Sequence, residues 1–363
     1  MPSTTKRRLS IALALTLLLG PTLPLAPQPA ASATPTAATS TATSTPTSAT
    51  PSTAGARDGS PQTEPRLSRG CGVEQKSGND QGTITSAGDE RTYRINIPRD
   101  YDATVPTPLI LGFHGRGSDG AEFQNYTGLP DLPAITIFPD GVRTDGKRSW
   151  QGAPYAGGAD DVRFVADLLD SVEDEFCIDL DRVYATGKSN GGGMVSVLAC
   201  QLRDRFSAFA TVAGAYYPQS FAGCDYSEPT PMLAIHGTGD STMHYEGGER
   251  QGETYPSVHE WLQPWAETAD CGEPKDRKVG RKGEKVVRTT WQDCRDGADV
   301  ELYTVAEGGH VWPGETMYSG GGYVTEDFSA TETLWDFFSD HSRSNTSTES
   351  AGAVGPAGAA GSE

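Results

Sequence analysis

The sequence predicts an α/β fold with a mostly parallel sheet and helices on both faces. Two observations carry this expectation. Several short runs rich in β-branched and aromatic residues are apolar along nearly their whole length, as strands covered on both faces must be. Amphipathic helical stretches alternate with the later runs, which is the βαβ order of a parallel sheet.

The folded part does not begin at the first residue. Lys6, Arg7 and Arg8 precede an apolar run from Ile11 to Leu19, and small residues follow at Ala30 to Ala33. Basic, apolar and then small is the order of a secretory signal peptide, expected here over residues 1–33. The apolar run is too short to span a bilayer. Residues 34–70 are dominated by Ser, Thr, Pro and Ala and read as a disordered linker, because such a segment buries too little apolar surface to offset its ordering entropy. Residues 343–363 read as a tail of the same kind. One domain, residues 71–342, is expected between them, long enough for a large single core.

Within that domain the strand-like runs are "RTYRINI", "PLILGFH", "AITIFPD", "RVYATGK", "AFATVAG" and "PMLAIHG". A further run, "DVELYTV", lies near the end. In "DDVRFVADLLDSVEDEF" the residues Val162, Val165, Leu169, Val172 and Phe176 recur at spacings of three and four and form one apolar stripe, with Asp160 or Asp161 as N-cap. "GGGMVSVLACQL", "SVHEWLQPWAETA" (despite Pro264) and "SATETLWDFFSDH" supply three more helices.

The formal net charge is −19, and loss of the signal segment removes three basic residues and no acidic ones. An acidic surface repels polyanions, so nucleic acid and anionic membrane are discounted as partners. Six cysteines at 71, 177, 200, 224, 271 and 294 all fall in the domain. An even count in an exported chain indicates disulfides, with 15 full pairings open. The absence of a Cys-x-x-Cys pair argues against a thiolate zinc site.

The chemistry-bearing stretch is Gly187-Lys188-Ser189-Asn190-Gly191, a G-x-S-x-G sequence between a strand and a helix. That context is what a nucleophile elbow requires. A sharp turn pushes the serine Oγ out of the sheet, and side chains two positions to either side would strike neighbouring backbone. A serine needs a base. His310 lies in the glycine-rich "AEGGHVWPG", just after the late strand, and Asp240 ends "PMLAIHGTGD" just after another strand. The chain order is then Ser189, Asp240, His310; Asp293, Asp296 and Asp299 are the alternative acids. "PLILGFHGRGSDG" runs from an early strand into a loop whose Arg116 N–H can face a developing oxyanion together with the Asn190 N–H. His114 reads as a structural holder of that loop. Trp150, Tyr155, Tyr216, Tyr217 and Trp312 lie near these motifs, and Trp312, Trp150 and Tyr216 are the expected pocket walls.

Together "FHGRGSDG", "IDLDRVYATGKSNGGGM", "HGTGDSTMHYEGG" and "GGHVWPG" resemble the esterase family that joins polyhydroxybutyrate depolymerases and secreted feruloyl esterases, in order from about Arg91 to His341. The resemblance implies an α/β-hydrolase fold, a Ser–Asp–His triad on Ser189, Asp240 and His310, and two-step acyl transfer that needs neither metal nor organic cofactor. It also supports the pairings Cys71–Cys177, Cys200–Cys224 and Cys271–Cys294. Feruloyl esterases of this type have aromatic residues beside the nucleophile, where this chain has Lys188 and Asn190. The expected activity is that of an extracellular serine carboxylesterase releasing hydroxycinnamic acids from plant cell-wall polysaccharide. The alternatives are a polyhydroxybutyrate or other polyester depolymerase, an acetylxylan esterase, and a catalytically silent hydrolase fold that binds carbohydrate.

Overall fold

The computed structural model describes residues 64–280, 285–315, 317 and 319–343. The expected signal peptide, most of the linker and the tail beyond residue 343 lie outside the described residues.

In chain order the elements begin with β1 (Gly78–Ser86), β2 (Asp89–Ile97), β3 (Thr107–Phe113), α1 (Gly120–Thr127), β4 (Ile135–Pro139) and the short β5 (Val142–Thr144) and β6 (Lys147–Ser149). They continue with α2 (Asp161–Glu175), β7 (Ile178–Lys188), α3 (Asn190–Gln201), β8 (Ala208–Val212) and β9 (Met232–Gly237). The last third holds β10 (Gly248–Arg250), β11 (Glu253–Tyr255), α4 (Val258–Thr268), β12 (Pro274–Val279), β13 (Val286–Trp291), β14 (Val300–Val305) and α5 (Ala330–Asp340).

Ten strands form one sheet in the order β1-β2-β4-β3-β7-β8-β9-β14-β13-β12. The middle six, from β4 to β14, are parallel throughout. Antiparallel pairs extend the sheet at both ends. The period-2 alternation of each central strand feeds two cores. Leu109, Leu111 and Phe113 of β3 face Phe164 of α2, Leu198 of α3 and Trp265 of α4. Ile110 of the same strand faces the opposite way, with Phe123 of α1 and Leu334 and Phe338 of α5. Each such side chain contributes about 1.5–3 kcal/mol on burial, so the strands are apolar on both faces because both faces are covered.

Caps fix the helix starts. Asp160 accepts a hydrogen bond from the Arg163 N–H at 2.9 Å and is the N-cap of α2, whereas Asp161 is buried and pairs with Arg91 at 2.8 Å. Ser257 and Glu260 form a reciprocal capping box on α4, which continues through Pro264.

One boundary and several elements depart from the sequence expectation. Residues 66–70, expected in the linker, are held against β7. The Leu180 N–H donates to the Arg66 carbonyl at 2.8 Å, and Arg66 Nε pairs with Asp181 at 2.7 Å. Helix α1 and strands β1, β12 and β13 also appear where no element was expected.

The disulfides are Cys71–Cys177, Cys200–Cys224 and Cys271–Cys294. The first closes a separation of 106 residues, the others 24 and 23. Chain entropy makes the long bridge worth roughly 1 kcal/mol more than either short one. Replacing Cys71 and Cys177 together by Ala is therefore expected to lower the urea midpoint most. An equal or larger loss on removing a short-loop bridge would contradict this ranking.

Candidate active site

Parallel strands deliver their C-terminal ends to one edge of the sheet, where open α/β sheets bind ligands. Here that edge receives the ends of β3, β7, β9 and β14. They carry, respectively, the His114–Gly117 loop, Ser189, Asp240 and the loop of His310.

Ser189 stands between β7 and α3 with φ 57° and ψ −121°, a region that costs a non-glycine residue on the order of 1–3 kcal/mol. Surrounding bonds impose it. The Ser189 N–H donates to Val212 O at 3.1 Å, and its carbonyl accepts from the Gly193 N–H at 3.1 Å and the Ala215 N–H at 2.9 Å. The flanking glycines are steric requirements: a β-carbon on Gly187 would lie 2.5 Å from the Gly191 backbone, and one on Gly191 would lie 1.9 Å from Phe113 O. The turn leaves Ser189 partly exposed at the N-terminus of α3, where the helix dipole is positive.

The loop after β3 passes directly over the serine. A β-carbon on Gly115 would stand 3.4 Å from Ser189 Cβ and 3.9 Å from its Oγ. His114 shapes that loop. Its Nε2 accepts the Gly141 N–H at 3.0 Å, so Nδ1–H donates to Gly115 O at 2.7 Å. Burial lowers its pKa to about 4, which keeps the ring neutral. The Asn190 side chain is buried and grips the Trp150 backbone, accepting from its N–H at 2.8 Å. Neither side chain lines the cleft, whereas Arg116 lines it together with Ser189.

Asp240 and His310 meet. His310 Nδ1 donates to Asp240 Oδ2 at 2.7 Å, and Asp240 Oδ1 accepts from the Thr242 and Met243 N–H groups at 2.7 and 2.8 Å. Burial pushes the Asp240 carboxyl up. Hydrogen bonds from His236 and His310, with their charge, outweigh that and hold it well below the usual carboxylate range. His310 is lowered from the usual imidazole value, first by burial and then by the Lys188 and His236 charges, against the opposing pull of Asp240. The three alternative acids, Asp293, Asp296 and Asp299, lie before β14, and among the described residues none of them forms a hydrogen bond or ion pair with His310, whose acidic partner is Asp240.

Ser189 and His310 share one cleft of about 320 Å³. Arg116, Glu122, Tyr126, Lys147, Lys188 and Ser319 complete most of its wall. The expected aromatic walls are elsewhere. Trp150 is fully buried and donates from Nε1 to His114 O at 2.9 Å; Trp312 is fully buried and donates from Nε1 to Thr331 Oγ1 at 3.0 Å. Tyr216 stacks on Trp261 with ring centroids 3.8 Å apart and bonds Thr211 Oγ1 at 2.7 Å. All three are core side chains that support the site's loops. A large aromatic ring near a motif is more readily packed under the motif than beside its ligand.

Two site residues went unrecognised in the sequence. His236, in β9, places Nε2 2.8 Å from Met243 O and 3.4 Å from Asp240 Oδ2, behind the carboxylate. Its position four residues before Asp240 was the available signal. Lys188 lies on the same β7 face as Tyr184 and Thr186, by the period of the strand. Its buried ammonium donates to Ser319 O at 2.6 Å and Ser319 Oγ at 2.8 Å, and lies 5.6 Å from the Tyr126 ring centre. Burial lowers it to about 8, so it is still charged at neutral pH.

Comparison with known proteins agrees with this architecture. Residues 148–228, which include the serine turn, match the Prolyl oligopeptidase family. The chain is 30% identical to Feruloyl esterase C of Emericella nidulans over 281 residues, covering 75% of this chain and 90% of that protein. It is 28% identical to Feruloyl esterase B of Piromyces equi over 229 residues, and spans 42% of that longer protein. Among solved structures, acetyl xylan esterase from Aspergillus awamori shares the fold with a TM-score of 0.53 at 15% identity, over 72% of this chain and 99% of that one.

Proposed function

The chain belongs to the feruloyl esterase family of serine carboxylester hydrolases, and from that premise we propose that it is an exported enzyme releasing hydroxycinnamic acids from plant cell-wall polysaccharide. The observation that carries the reading is the Asp240–His310 pair at 2.7 Å, on the same sheet edge as a strained serine that shares a cleft with His310. In the mechanism, His310 Nε2 takes the Ser189 proton as Oγ attacks the ester carbonyl. The Arg116 and Asn190 N–H groups hold the oxyanion, and His310 protonates the leaving alcohol. Water activated by the same imidazole then releases the acid. Asp240 holds the Nδ1–H tautomer and balances the imidazolium. The basic–apolar N-terminal segment and the three disulfides support export.

The substrate choice rests on family membership and on Tyr126 as the aromatic surface of the cleft. The test is a side-by-side assay of methyl ferulate, a short p-nitrophenyl ester, acetylated xylan and a polyhydroxybutyrate film. Ferulate release is expected to dominate. Rapid film erosion without ferulate release would transfer the enzyme to the polyester depolymerases and leave the site roles standing.

The pH profile follows from the histidine. Its base form is neutral, so kcat/KM rises with pH through the His310 titration. Because burial and the Lys188 charge lower that pKa, the midpoint is expected below the unperturbed value of about 6.5. Lys188→Gln removes one lowering charge and is expected to move the midpoint upward. A wild-type midpoint above about 7 would contradict the assignment of His310 as base.

A further inference from the structure

We propose that the ester cleft selects substrates carrying a carboxylate close to the scissile ester, and that Lys188, Arg116 and Lys147 recognise it. This deepens the esterase reading and rests on it.

The first observation is a reversal of sign. The chain has 48 acidic and 29 basic residues, so a wall of average composition carries more carboxylates than cations. The cleft around Ser189 and His310 has three cations, Arg116, Lys147 and Lys188, against one carboxylate, Glu122. Like-signed charge focused in a cleft marks the charge of the ligand it draws in.

The second observation is that, among the described residues, these cations form no direct ion pair. Among the described residues no carboxylate lies in ion-pair range of any of the three, although neighbouring Arg148 pairs with Asp140 at 3.6 Å. Lys188 is the most telling. Its buried ammonium bonds two neutral oxygens of one residue, Ser319. Glu315, Asp240 and Glu122 act on it only from beyond ion-pair distance; burying a charge without a directly paired counter-charge is expensive, and a neutral amide could tie down the same loop at lower cost. Arg116 holds its guanidinium 4.0 Å from the Tyr155 ring centre. That stacking occupies a face of the planar group and leaves its N–H edges for a bidentate carboxylate. Lys147 reaches the same rim, with its Cδ beside Gly117.

A monoanion fits this balance better than a dianion, because Glu122 shares the wall. The carboxylate has two sources: the acyl side, as in a half-ester of a dicarboxylic acid, or the alcohol side, as in a uronic-acid sugar.

The experiment measures kcat/KM for two acid–amide pairs. Monomethyl fumarate against the matching amide, methyl fumaramate, tests the acyl side. Feruloylated galacturonic acid against feruloylated galacturonamide tests the alcohol side. At least one acid is expected to be preferred by about tenfold at low ionic strength, and that pair identifies the source. The preference should shrink in about 0.5 M NaCl. Lys188→Gln and Arg116→Gln should each move the ratio toward one, and Lys188→Arg should keep it. Each ratio is taken within one variant, so a general loss of activity cancels. Wild-type ratios at or below one for both pairs overturn the inference while the esterase reading stands. A wild-type preference that survives both glutamine variants overturns the assignment to these residues. Failure to cleave any ester, methyl ferulate and p-nitrophenyl acetate included, overturns the esterase reading and the inference with it.

Discussion

Ser189→Ala is expected to lower kcat by on the order of 10⁴-fold or more and to abolish labelling by a fluorophosphonate probe. The substitution removes one oxygen. Nothing else at the turn can attack a carbonyl: Gly187 and Gly191 carry no side chain, Asn190 is committed to the Trp150 backbone, and the Lys188 ammonium is protonated and bonded to Ser319. The fold should survive, because the backbone bonds to Val212, Gly193 and Ala215 do not use the hydroxyl. Stability within about 0.5 kcal/mol of wild type is therefore expected for the Ala variant. A paired variant separates chemistry from strain. Ser189→Gly is equally inactive, yet it relieves a positive-φ conformation worth about 1 kcal/mol, so it should be no less stable than Ser189→Ala. Retention of more than a few per cent of wild-type turnover by Ser189→Ala, in a correctly folded sample, would end the nucleophile assignment. Absence of wild-type labelling would favour a silent, binding-only fold.

What the sequence made legible follows from where side chains go. β3, β4, β7, β8, β9 and β14 are buried on both faces by helices, so they stand out as apolar runs. β12, with the sequence PKDRKV, is a mostly exposed edge strand, and β1 is polar along most of its length. Their pairing is specified by the neighbouring strand's backbone, which has no counterpart in their own periodicity. The candidate nucleophile, acid and base are separated by long stretches of chain yet were readable, because each follows a strand whose C-terminal end reaches the same edge. The cleft wall was not. Trp150, Trp312 and Tyr216 share a loop neighbourhood with the site, and only packing determines that their rings turn inward. Lys188 was in plain view inside the G-x-S-x-G sequence. Its role depends on Ser319, 131 residues away, a contact that no local pattern announces.

Asp240→Asn is expected to reduce kcat by about 10⁴-fold, close to the effect of losing the serine, and the reason lies in which oxygen each neighbour uses. Oδ1 accepts two backbone N–H groups, from Thr242 and Met243, at 2.7 and 2.8 Å. An asparagine in this pocket must keep its carbonyl oxygen there, since an NH2 group facing two N–H donors would leave buried polar groups unsatisfied. Its NH2 is then forced to the Oδ2 position, 2.7 Å from His310 Nδ1. Nδ1 becomes an acceptor, the ring proton moves to Nε2, and the imidazole presents a donor to Ser189 where it should present a lone pair. The substitution thus preserves shape and inverts the tautomer. Asp240→Ala lacks that enforcement: the imidazole loses its anchor and its charge balance but is free to adopt either tautomer. The Asn variant is therefore expected to be no more active than the Ala variant, although it is the closer isostere. Asn substitutions at Asp293, Asp296 and Asp299 should leave turnover within about twofold, as ordinary surface changes do. If Asp240→Asn keeps more than a tenth of wild-type kcat, or one of those three replacements causes the large loss instead, Asp240 is not the residue that orients His310.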